Sequence, residues 1–336
     1  MMRGLVIGAS GFLGLHLVDH LIAQGLSVRA SYRQRAPTPL LRKRPVELVP
    51  ASLQDRASLE QAMEGCDCVF LVAGHYPRYS LHFEAQLETA VLGVRNACDA
   101  ALARGVKRLI YTSSSASLAS RSGQVTDEDD VPISMPRHSV YRAVKWAMER
   151  EVEDAQQRGL STVTLLPGGC IGPGDYRLGT GGLFVAAVLG ILPFWVEGYV
   201  NLVDVTDVAR AQLAAVSAPG SRYCLAPHTR RFGELLHGIV QRYGGKVPEQ
   251  VSARCARERA DAAERAAEPR NARVTFPREL VDVVTSGAPL VCSRARRELG
   301  VDFAPLEPAF DRAHAFFRRV GFLPDLAAQE RHVPHE

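Results

Sequence analysis

The sequence predicts an α/β fold in which a doubly wound parallel sheet carries a smaller C-terminal lobe. Two observations predict it. Residues 3–166 alternate short apolar segments with segments of helical periodicity, and the alternation stops after Pro167, where glycines and prolines crowd residues 168–182. Strands that alternate with helices form a parallel sheet covered on both faces. We therefore place residues 1–167 in the sheet domain and residues 168–336 mainly in a substrate-side lobe, with some of its segments returning to the sheet.

The individual elements follow from the spacing of apolar residues. In the first part, apolar residues recur at helical spacing from Phe12 until Gly25 ends that helix. Strands are expected at residues 5–7, 27–32, 46–49, 68–72, 109–113 and 162–166, and further helices at 58–63, 83–104 and 140–158. In the second part, helices are expected at 205–216, 232–243 and 306–320, with Thr206 as an N-cap; residues 253–273 read as an exposed helix or a poorly ordered excursion.

Composition and charge exclude several classes of protein. With 336 residues, 46 % hydrophobic and 23 % charged, the chain has the composition of an ordinary globular protein. A net charge of +4 without a basic tract argues against a nucleic-acid partner. The apolar stretch at 181–196 contains Gly190 and Pro193 and is too short for a comfortable membrane span. The 7 cysteines are scattered without metal-ligand spacing, which predicts no metal site and a reducing, cytoplasmic setting.

A glycine-rich turn follows the first strand directly and opens the first helix. It runs Gly8-Ala9-Ser10-Gly11-Phe12-Leu13-Gly14. Side chains at its glycines would block both the turn and the close approach of a pyrophosphate, which the N–H groups at the helix start then hold. The alternative is a purely structural turn. Its position between a strand and an amphipathic helix favours a dinucleotide site.

The end of the second strand bears on which dinucleotide binds. NAD sites usually place a carboxylate there to bind the ribose 2′-hydroxyl. Residues 29–35 contain no acid, and Arg33 and Arg35 are suited to pair with a 2′-phosphate. The alternative is a solvated basic loop. We expect NADP, with NAD possible.

A hydroxyl cluster and a tyrosine–lysine pair suggest acid–base chemistry. Thr112-Ser113-Ser114-Ser115 ends the fifth strand, and Tyr141 and Lys145 lie one helical turn apart on one face of the next helix. We expect the ammonium to lower the pKa of the phenol by stabilising the phenolate. A hydroxyl at the strand end can hold a substrate carbonyl against that phenol. Such a pair also occurs by chance, but the chain has only four lysines.

Together these residues resemble the extended short-chain dehydrogenase/reductases, whose fold is of the Rossmann type. Within that family the chain is most similar to the dihydroflavonol-4-reductase and 3β-hydroxysteroid dehydrogenase-like branch, which also holds hopanoid-associated sugar epimerase-type proteins. The matching elements are the glycine turn, Tyr111-Thr112-Ser113-Ser114, Tyr141 with Lys145, Ile171-Gly172-Pro173, and residues 203–209. Asp204 and Asp207 in the last element are expected to cap a helix rather than to form an acid pair.

The resemblance implies roles for individual residues. Ser114 would be the catalytic hydroxyl, with Ser115 its near-equal rival; Tyr141 would be the acid/base, and Lys145 its partner and ribose anchor. Arg33 would bind the NADP phosphate. Beyond the glycine turn and the catalytic residues, the implied cofactor contacts are Ser52, Leu53, Ala73, Thr112 and Pro167. Candidate substrate contacts are His75, Tyr76, Ser115, Gly169 and Cys170, the two loop aromatics being equally compatible with simple packing.

These expectations combine into an oxidoreductase that interconverts a ketone and a secondary alcohol on a small, largely apolar molecule. Nucleotide-sugar epimerases tend to carry an Arg and an Asn after the tyrosine helix, and residues 165–170 contain neither. The alternatives are a sugar epimerase or dehydratase and a non-catalytic cofactor-binding redox sensor. The resemblance also suggests a homodimer formed through the helices at 83–104 and 140–158.

Overall fold

The computed structural model describes residues 2–33, 36, 38–119 and 124–324. Its strands are β1 (Arg3–Ile7), β2 (Ser27–Tyr32), β3 (Glu47–Pro50), β4 (Cys68–Leu71), β5 (Arg108–Thr112), β6 (Thr162–Pro167), β7 (Gly169–Ile171), β8 (Trp195–Val196), β9 (Tyr199–Asp204), β10 (Arg222–Leu225), β11 (His228–Arg231) and β12 (Gln250–Val251). Its α-helices are α1 (Phe12–Ala23), α2 (Pro39–Arg42), α3 (Arg56–Met63), α4 (Phe83–Ala103), α5 (Val140–Gln157), α6 (Thr180–Val188), α7 (Val205–Ala214), α8 (Phe232–Tyr243), α9 (Ala253–Ala267), α10 (Arg278–Thr285), α11 (Ser293–Leu299) and α12 (Leu306–Arg319).

The main sheet has seven strands in the order β3-β2-β1-β4-β5-β6-β10, and every neighbouring pair is parallel. The predicted doubly wound parallel fold is therefore confirmed. The chain order reverses at β1, which has β2 on one side and β4 on the other. In such sheets, ligands bind beyond the carboxyl ends of the strands at the reversal. The fold thus directs attention to the residues that follow β1, β4 and β5.

Two apolar layers cover the main sheet, and a third core fills the lobe. One layer packs α1, α7 and α11 on the sheet, and the other packs α3, α4 and α5 on its opposite face. The lobe core is rich in aromatic rings, among them Phe184, Phe276 and Phe317. A three-stranded sheet, β11-β9-β7, and the short pair β12-β8 frame this core. Segments late in the chain, β10 and the helices α7 and α11, complete the first domain rather than the lobe.

The elements that the sequence predicted individually have bounds within a few residues of those expected. The helices α2 and α6 and the strands β7 to β12 were not predicted individually, and three further points concern the C-terminal part of the chain. Residues 253–267 form an ordered helix, followed by a 3₁₀ turn at Glu268–Arg270. The expected N-cap Thr206 is wrong: the Asp204 carboxylate caps α7 by accepting a hydrogen bond from the Thr206 backbone N–H at 2.9 Å. Helix α10 was not expected, because its eight residues follow a proline-containing loop and carry only two turns of periodicity.

The fold also bears on the expected environment. Within the described ranges, no helix is both long enough and apolar enough to cross a lipid bilayer. The same residues contain no cluster of three histidine, cysteine or carboxylate side chains arranged to hold a metal ion. All seven cysteines are free thiols, and six of them are buried.

The central strand β5 offers a test of the packing. Ile110 is completely buried in the sheet, whereas Ile133 lies fully exposed on a loop. Because Ile110→Ala leaves a cavity, it should lower the free energy of unfolding by about 2–5 kcal/mol. The matched variant Ile133→Ala should change it by less than about 0.5 kcal/mol. Urea denaturation followed by circular dichroism measures both, and equal effects would contradict this assignment of the core.

Candidate active site

The glycine turn between β1 and α1 is closed by backbone contacts that leave no room for side chains. Gly8 has φ +94°, and a Cβ atom there would lie 2.7 Å from the Ala73 nitrogen. A Cβ atom on Gly14 would lie 2.1 Å from the Gly8 carbonyl oxygen. The Gly11 N–H donates to the same oxygen at 3.0 Å. Gly8 and Gly14 are therefore required by the turn itself, which sets the start of α1 against the ends of β1 and β4.

The N-terminus of α1 is suited to an anion. Gly11 is the N-cap and supplies no side-chain hydrogen bond, and the first turn contains no acidic residue. The half-buried residues Ser10, Phe12 and Leu13 surround this end of the helix. The first-turn N–H groups lack intrahelical partners and lie at the positive end of the helix dipole. This geometry can hold the pyrophosphate of a dinucleotide.

The residues after β2 are basic and exposed. The Ser31 hydroxyl is buried and accepts a hydrogen bond from the Gly8 N–H at 3.2 Å, which ties β2 to the glycine turn. Arg33 follows the strand and is exposed. Arg29 is turned away from it, since its guanidinium pairs with Glu47 at 2.9 Å. Arg35 lies outside the described residues. Arg33 is therefore the described arginine of this segment that is accessible to a ligand.

The remaining predicted cofactor residues lie along the same edge of the sheet. Ala73 follows β4 and its N–H donates to the Ile7 carbonyl at 2.9 Å, directly beside the glycine turn. The Ser52 hydroxyl accepts from the Gln54 N–H within its own turn, at 3.3 Å. The Leu53 carbonyl accepts from Asn96 at 2.9 Å. Because the Ser52 hydroxyl and the Leu53 carbonyl are hydrogen-bonded within the protein, these two residues offer mainly van der Waals contacts to the adenine base of a dinucleotide.

Two further predicted cofactor residues end central strands. The Thr112 hydroxyl is buried and accepts a hydrogen bond from the Gln212 amide at 2.8 Å. Pro167 ends β6 and is buried.

Ser114, Tyr141 and Lys145 converge beyond the end of β5. Ser139 caps α5 by accepting from the Arg142 N–H, so that Tyr141 stands in the first turn and Lys145 one turn later. The Ser114 hydroxyl is near enough to the phenol to stabilise its ionised form by hydrogen bonding. The Lys145 nitrogen lies 5.7 Å from the centre of the Tyr141 ring. Ser115 instead begins a 3₁₀ turn, so the structure favours Ser114 as the hydroxyl that faces the phenol.

The electrostatics of this cluster differ from the expectation. Burial, and after it the negative charge of Glu279, raise the pKa of the Tyr141 phenol, and only the Ser114 hydroxyl lowers it. The expected lowering by Lys145 is wrong for this structure, because the cost of burying a phenolate exceeds the benefit of a cation several ångströms away. Burial also lowers the pKa of the Lys145 ammonium to about 8. Near neutral pH, Tyr141 therefore holds its proton and can act as an acid.

A buried ionic network lies next to Lys145 on α5. The Ser113 hydroxyl donates to the Glu149 carboxylate, which also pairs with Arg222 at 2.5 Å. Glu149 is buried and lies one helical turn after Lys145, where its charge raises the pKa of that ammonium. The network joins β5, α5 and β10 and keeps a negative charge close to the ammonium.

Sequence reasoning missed one titratable group of this cluster, the carboxyl of Glu279. It arrives from α10 in the lobe, and the Tyr76 hydroxyl donates to it at 2.7 Å. The Tyr76 ring packs on the Tyr141 ring with centroids 5.3 Å apart. Burial raises the pKa of the Glu279 carboxyl to about 7. No local pattern pointed to Glu279, because it reaches the site through the packing of the lobe.

Only some of the other predicted substrate residues lie at the Tyr141 cluster. The His75 ring nitrogen is hydrogen-bonded at 2.5 Å to the amide oxygen of Gln86 on α4, so the His75 side chain is tied to that helix. Cys170 is buried on β7, close enough to affect the ionisation of Tyr141. Gly169 is closely packed, since a Cβ atom there would lie 3.0 Å from Leu202 and from Thr180. The structure therefore brings Tyr76 and Cys170 to the cluster, whereas His75 is hydrogen-bonded to α4 and Gly169 is closely packed.

The sequence and the geometry agree with comparisons to known proteins. The model of the family described as NAD dependent epimerase/dehydratase matches residues 4–223. The chain belongs to this family. That match includes the glycine turn, Ser114, Tyr141 and Lys145, and it ends before Glu279.

Two curated relatives of this chain are named as reductases. A putative dihydroflavonol 4-reductase of Synechocystis sp. is 35 % identical over 212 residues, which are 62 % of this chain and 62 % of that protein. The 4-hydroxy-2-methyl-3-oxo-4-farnesyl-3,4-dihydroquinoline-1-oxide ketoreductase of Stigmatella aurantiaca is 30 % identical over 316 residues, covering 89 % of this chain and 91 % of that protein. The likeness to the dihydroflavonol-reductase branch is thereby confirmed, and the chain is an NAD(P)-dependent oxidoreductase.

Solved structures agree on the fold. The crystal structure of a nucleoside-diphosphate-sugar epimerase from Pseudomonas aeruginosa superposes with a TM-score of 0.76 at 25 % identity, covering 96 % of this chain and 99 % of that one. The same scaffold therefore serves a protein named for sugar chemistry, and the fold does not decide the substrate.

The glycine turn yields a direct test of dinucleotide binding. Gly14→Ala introduces a Cβ atom 2.1 Å from the Gly8 carbonyl oxygen and should reduce NADPH binding at least about tenfold, with loss of stability. The control is Gly238→Ala in α8, where a Cβ atom meets nothing within 4 Å. That change should raise stability by about 0.5–1 kcal/mol and leave binding unchanged. Fluorescence titration and thermal unfolding measure both effects, and undiminished binding by Gly14→Ala would contradict the site.

Proposed function

We propose that this chain is an NADPH-dependent reductase that converts a ketone on a small, largely apolar molecule into a secondary alcohol. The observation that carries the proposal is the Tyr141 phenol, which burial keeps protonated beside the Ser114 hydroxyl, with the Lys145 ammonium one helical turn away. A proton donor, a hydroxyl to orient a carbonyl and a cation to stabilise the resulting phenolate are the groups that carbonyl reduction requires.

The residues divide this work as follows. The glycine turn and the start of α1 would hold the dinucleotide, whose nicotinamide supplies a hydride when it is bound. Ser114 orients the substrate carbonyl oxygen towards the phenol. Tyr141 gives its proton to that oxygen as negative charge develops on it. Lys145 acts once the phenolate forms, because an ammonium interacts far more favourably with an anion than with a neutral phenol. Glu149 keeps Lys145 charged for this role.

The preference for NADP rests on the charges after β2. Arg33 is exposed beyond the strand end, and residues 29–35 offer no carboxylate for a ribose 2′-hydroxyl. A guanidinium binds a phosphate with strong charge-assisted hydrogen bonds. Both features favour a 2′-phosphate over a 2′-hydroxyl.

The apolar substrate is inferred from the walls of the site. Residues 165–170 contain neither the Arg nor the Asn that nucleotide-sugar epimerases tend to carry there. At the cluster itself, the Tyr76 ring lies on the Tyr141 ring with centroids 5.3 Å apart and presents an aromatic surface. The names of the curated relatives, a dihydroflavonol reductase and a farnesyl-quinoline ketoreductase, refer to such molecules. The fold likeness to a sugar epimerase keeps transient oxidation as the rival function.

Replacing Tyr141 tests the proposed acid. Tyr141→Phe should lower kcat for ketone reduction by about 100-fold or more, because the proton donor is lost. NADPH affinity and the thermal midpoint should change little. The control is Tyr176→Phe on a half-exposed ring outside the cluster, which should retain full activity. A ketone panel followed by NADPH absorbance measures the rates. Substrate conversion without net NADPH loss would support the epimerase instead, and an active Tyr141→Phe would remove Tyr141 as the acid.

Arg33 tests the cofactor preference. Arg33→Ala should raise KM for NADPH by about 10- to 100-fold, the value of a charged hydrogen-bonded contact, and should leave KM for NADH nearly unchanged. Arg254→Ala on the exposed side of α9 is the control for charge alone. Steady-state kinetics with both cofactors give the four constants. An equal change for NADPH and NADH would mean that Arg33 does not recognise the phosphate.

A further inference from the structure

The loop that follows β4 is fastened to the lobe. The Arg78 guanidinium donates to the side chain of Asn271 at 2.5 Å and to its carbonyl at 2.7 Å. The Tyr79 hydroxyl donates to the Ala272 carbonyl at 2.6 Å. The His82 ring is bonded to Glu268 at 2.5 Å. Residues 72–82 therefore follow the position of the lobe, although they leave the sheet beside the glycine turn.

Glu264 connects this loop to α10. Its carboxylate is buried and accepts from the Ser80 N–H at 2.5 Å and from the Arg278 N–H, at the start of α10, at 2.8 Å. The Arg278 guanidinium pairs with Asp261 at 2.8 Å and with Asp282 at 3.1 Å. These contacts fix the first turn of α10, and Glu279 belongs to that turn.

Glu279 faces the catalytic cluster with an acceptor. One carboxyl oxygen accepts from Tyr76 at 2.7 Å; the other has no hydrogen-bond partner among the residues that the structure describes. Tyr76 is 59 % exposed, its ring lies on the Tyr141 ring, and Glu279 is itself only partly buried. A molecule that reaches the phenol therefore passes next to this carboxyl. Ser114 and Tyr141 supply donors and Glu279 supplies an acceptor, and a ketone that also carries a hydroxyl group matches both.

We propose that Glu279 is a specificity-determining residue, whose carboxyl group accepts a hydrogen bond from a hydroxyl group on the ketone substrate. The inference rests on the proposed function and narrows its substrate class to uncharged hydroxyketones. An anionic substrate is disfavoured, because it would bring a second negative charge to a carboxylate in a partly desolvated site.

The pH dependence follows from the state of this carboxyl. Its pKa is raised to about 7, so it is mostly neutral at pH 5.5 and mostly ionised at pH 8.5. A carboxylate is the stronger acceptor, so preference for the hydroxyketone should increase with pH. The charged and titratable groups around it are Tyr76 on the loop, Tyr141 and Lys145 on α5, Glu264 on α9, Asp282 on α10, and Arg273, which acts on Tyr76. The ionisation of a group that affects the reduction of every ketone changes kcat/KM for both substrates equally. Its effect is therefore removed when the ratio of the two kcat/KM values is taken.

The experiment compares 1-tetralone with hydroxy-1-tetralones that carry the hydroxyl group on the saturated ring, and with a tetralone carboxylic acid. The quantity measured is the ratio of kcat/KM for the best hydroxyketone to kcat/KM for 1-tetralone, with NADPH. The ratio should be about 10 or more for the wild type at pH 8.5 and several-fold smaller at pH 5.5. Glu279→Gln should reduce it at least about threefold, flatten its pH dependence and improve reduction of the carboxylic acid. Glu258→Gln, an exposed carboxylate on α9, is the matched control and should behave as the wild type.

Two outcomes separate this inference from the proposed function. A ratio that is independent of pH and unchanged in Glu279→Gln, with ketones still reduced, would overturn the inference alone. NADPH binding without reduction of any ketone would overturn the proposed function and the inference with it. Tyr76→Phe keeps the ring and frees the carboxyl, so the ratio should be retained even if Glu279→Gln is poorly folded. If the ratio falls to about 1 in Tyr76→Phe, Tyr76 and not Glu279 recognises the hydroxyl group of the substrate.

Discussion

The close approach of three backbone segments at the reversal point of the sheet is the constraint on which the rest of the site depends. Gly8 packs against Ala73, and Gly14 packs against the Gly8 carbonyl, at distances that exclude any Cβ atom. This contact sets the start of α1 directly beyond β1 and next to the chain that leaves β4. Because parallel strands all end at one edge of the sheet, the same edge receives Ser114 from β5. One sheet thereby sets the positions of the proposed phosphate site and of the hydroxyl that we propose to orient a carbonyl.

Burial, rather than the nearest cation, governs the chemistry of the cluster. The phenol of Tyr141 and the ammonium of Lys145 both become harder to charge when they leave water, so the pKa of the first rises and that of the second falls to about 8. The two shifts move the pKa values of the phenol and the ammonium further apart than they are in water. The arrangement suits proton donation, since the neutral phenol is stable until negative charge develops on a substrate oxygen. The charges of Glu149 and Glu279 raise the pKa of the Lys145 ammonium, and the charge of Glu279 also raises the pKa of the Tyr141 phenol.

The sequence predicted what depends on neighbours along the chain. The glycine turn, the strand periodicity and the spacing of Tyr141 and Lys145 are local, and the structure has them close to their expected positions. The parallel sheet followed from the alternation of strands and helices, whereas the spatial order of its strands was not predicted. The direction of the Tyr141 pKa shift was not predictable, because it depends on the degree of burial. Glu279 was missed for a related reason: a two-turn helix in a proline-containing region reaches the site only through Glu264, Arg278 and the loop after β4.

The proposed catalytic groups and the proposed specificity group lie in different parts of the chain, which explains how one family can act on different substrates. The family match covers residues 4–223 and therefore the groups that we propose to bind a dinucleotide and to move a proton. Residues 264–285, which attach the loop to the lobe and supply Glu279, lie beyond it. The loop bearing Tyr76 starts in the first domain but takes its position from the second. A change in the lobe can therefore alter what Tyr76 and Glu279 present to a substrate while Ser114, Tyr141 and Lys145 stay in place, because the latter are fixed by β5, α5 and the Glu149–Arg222 pair.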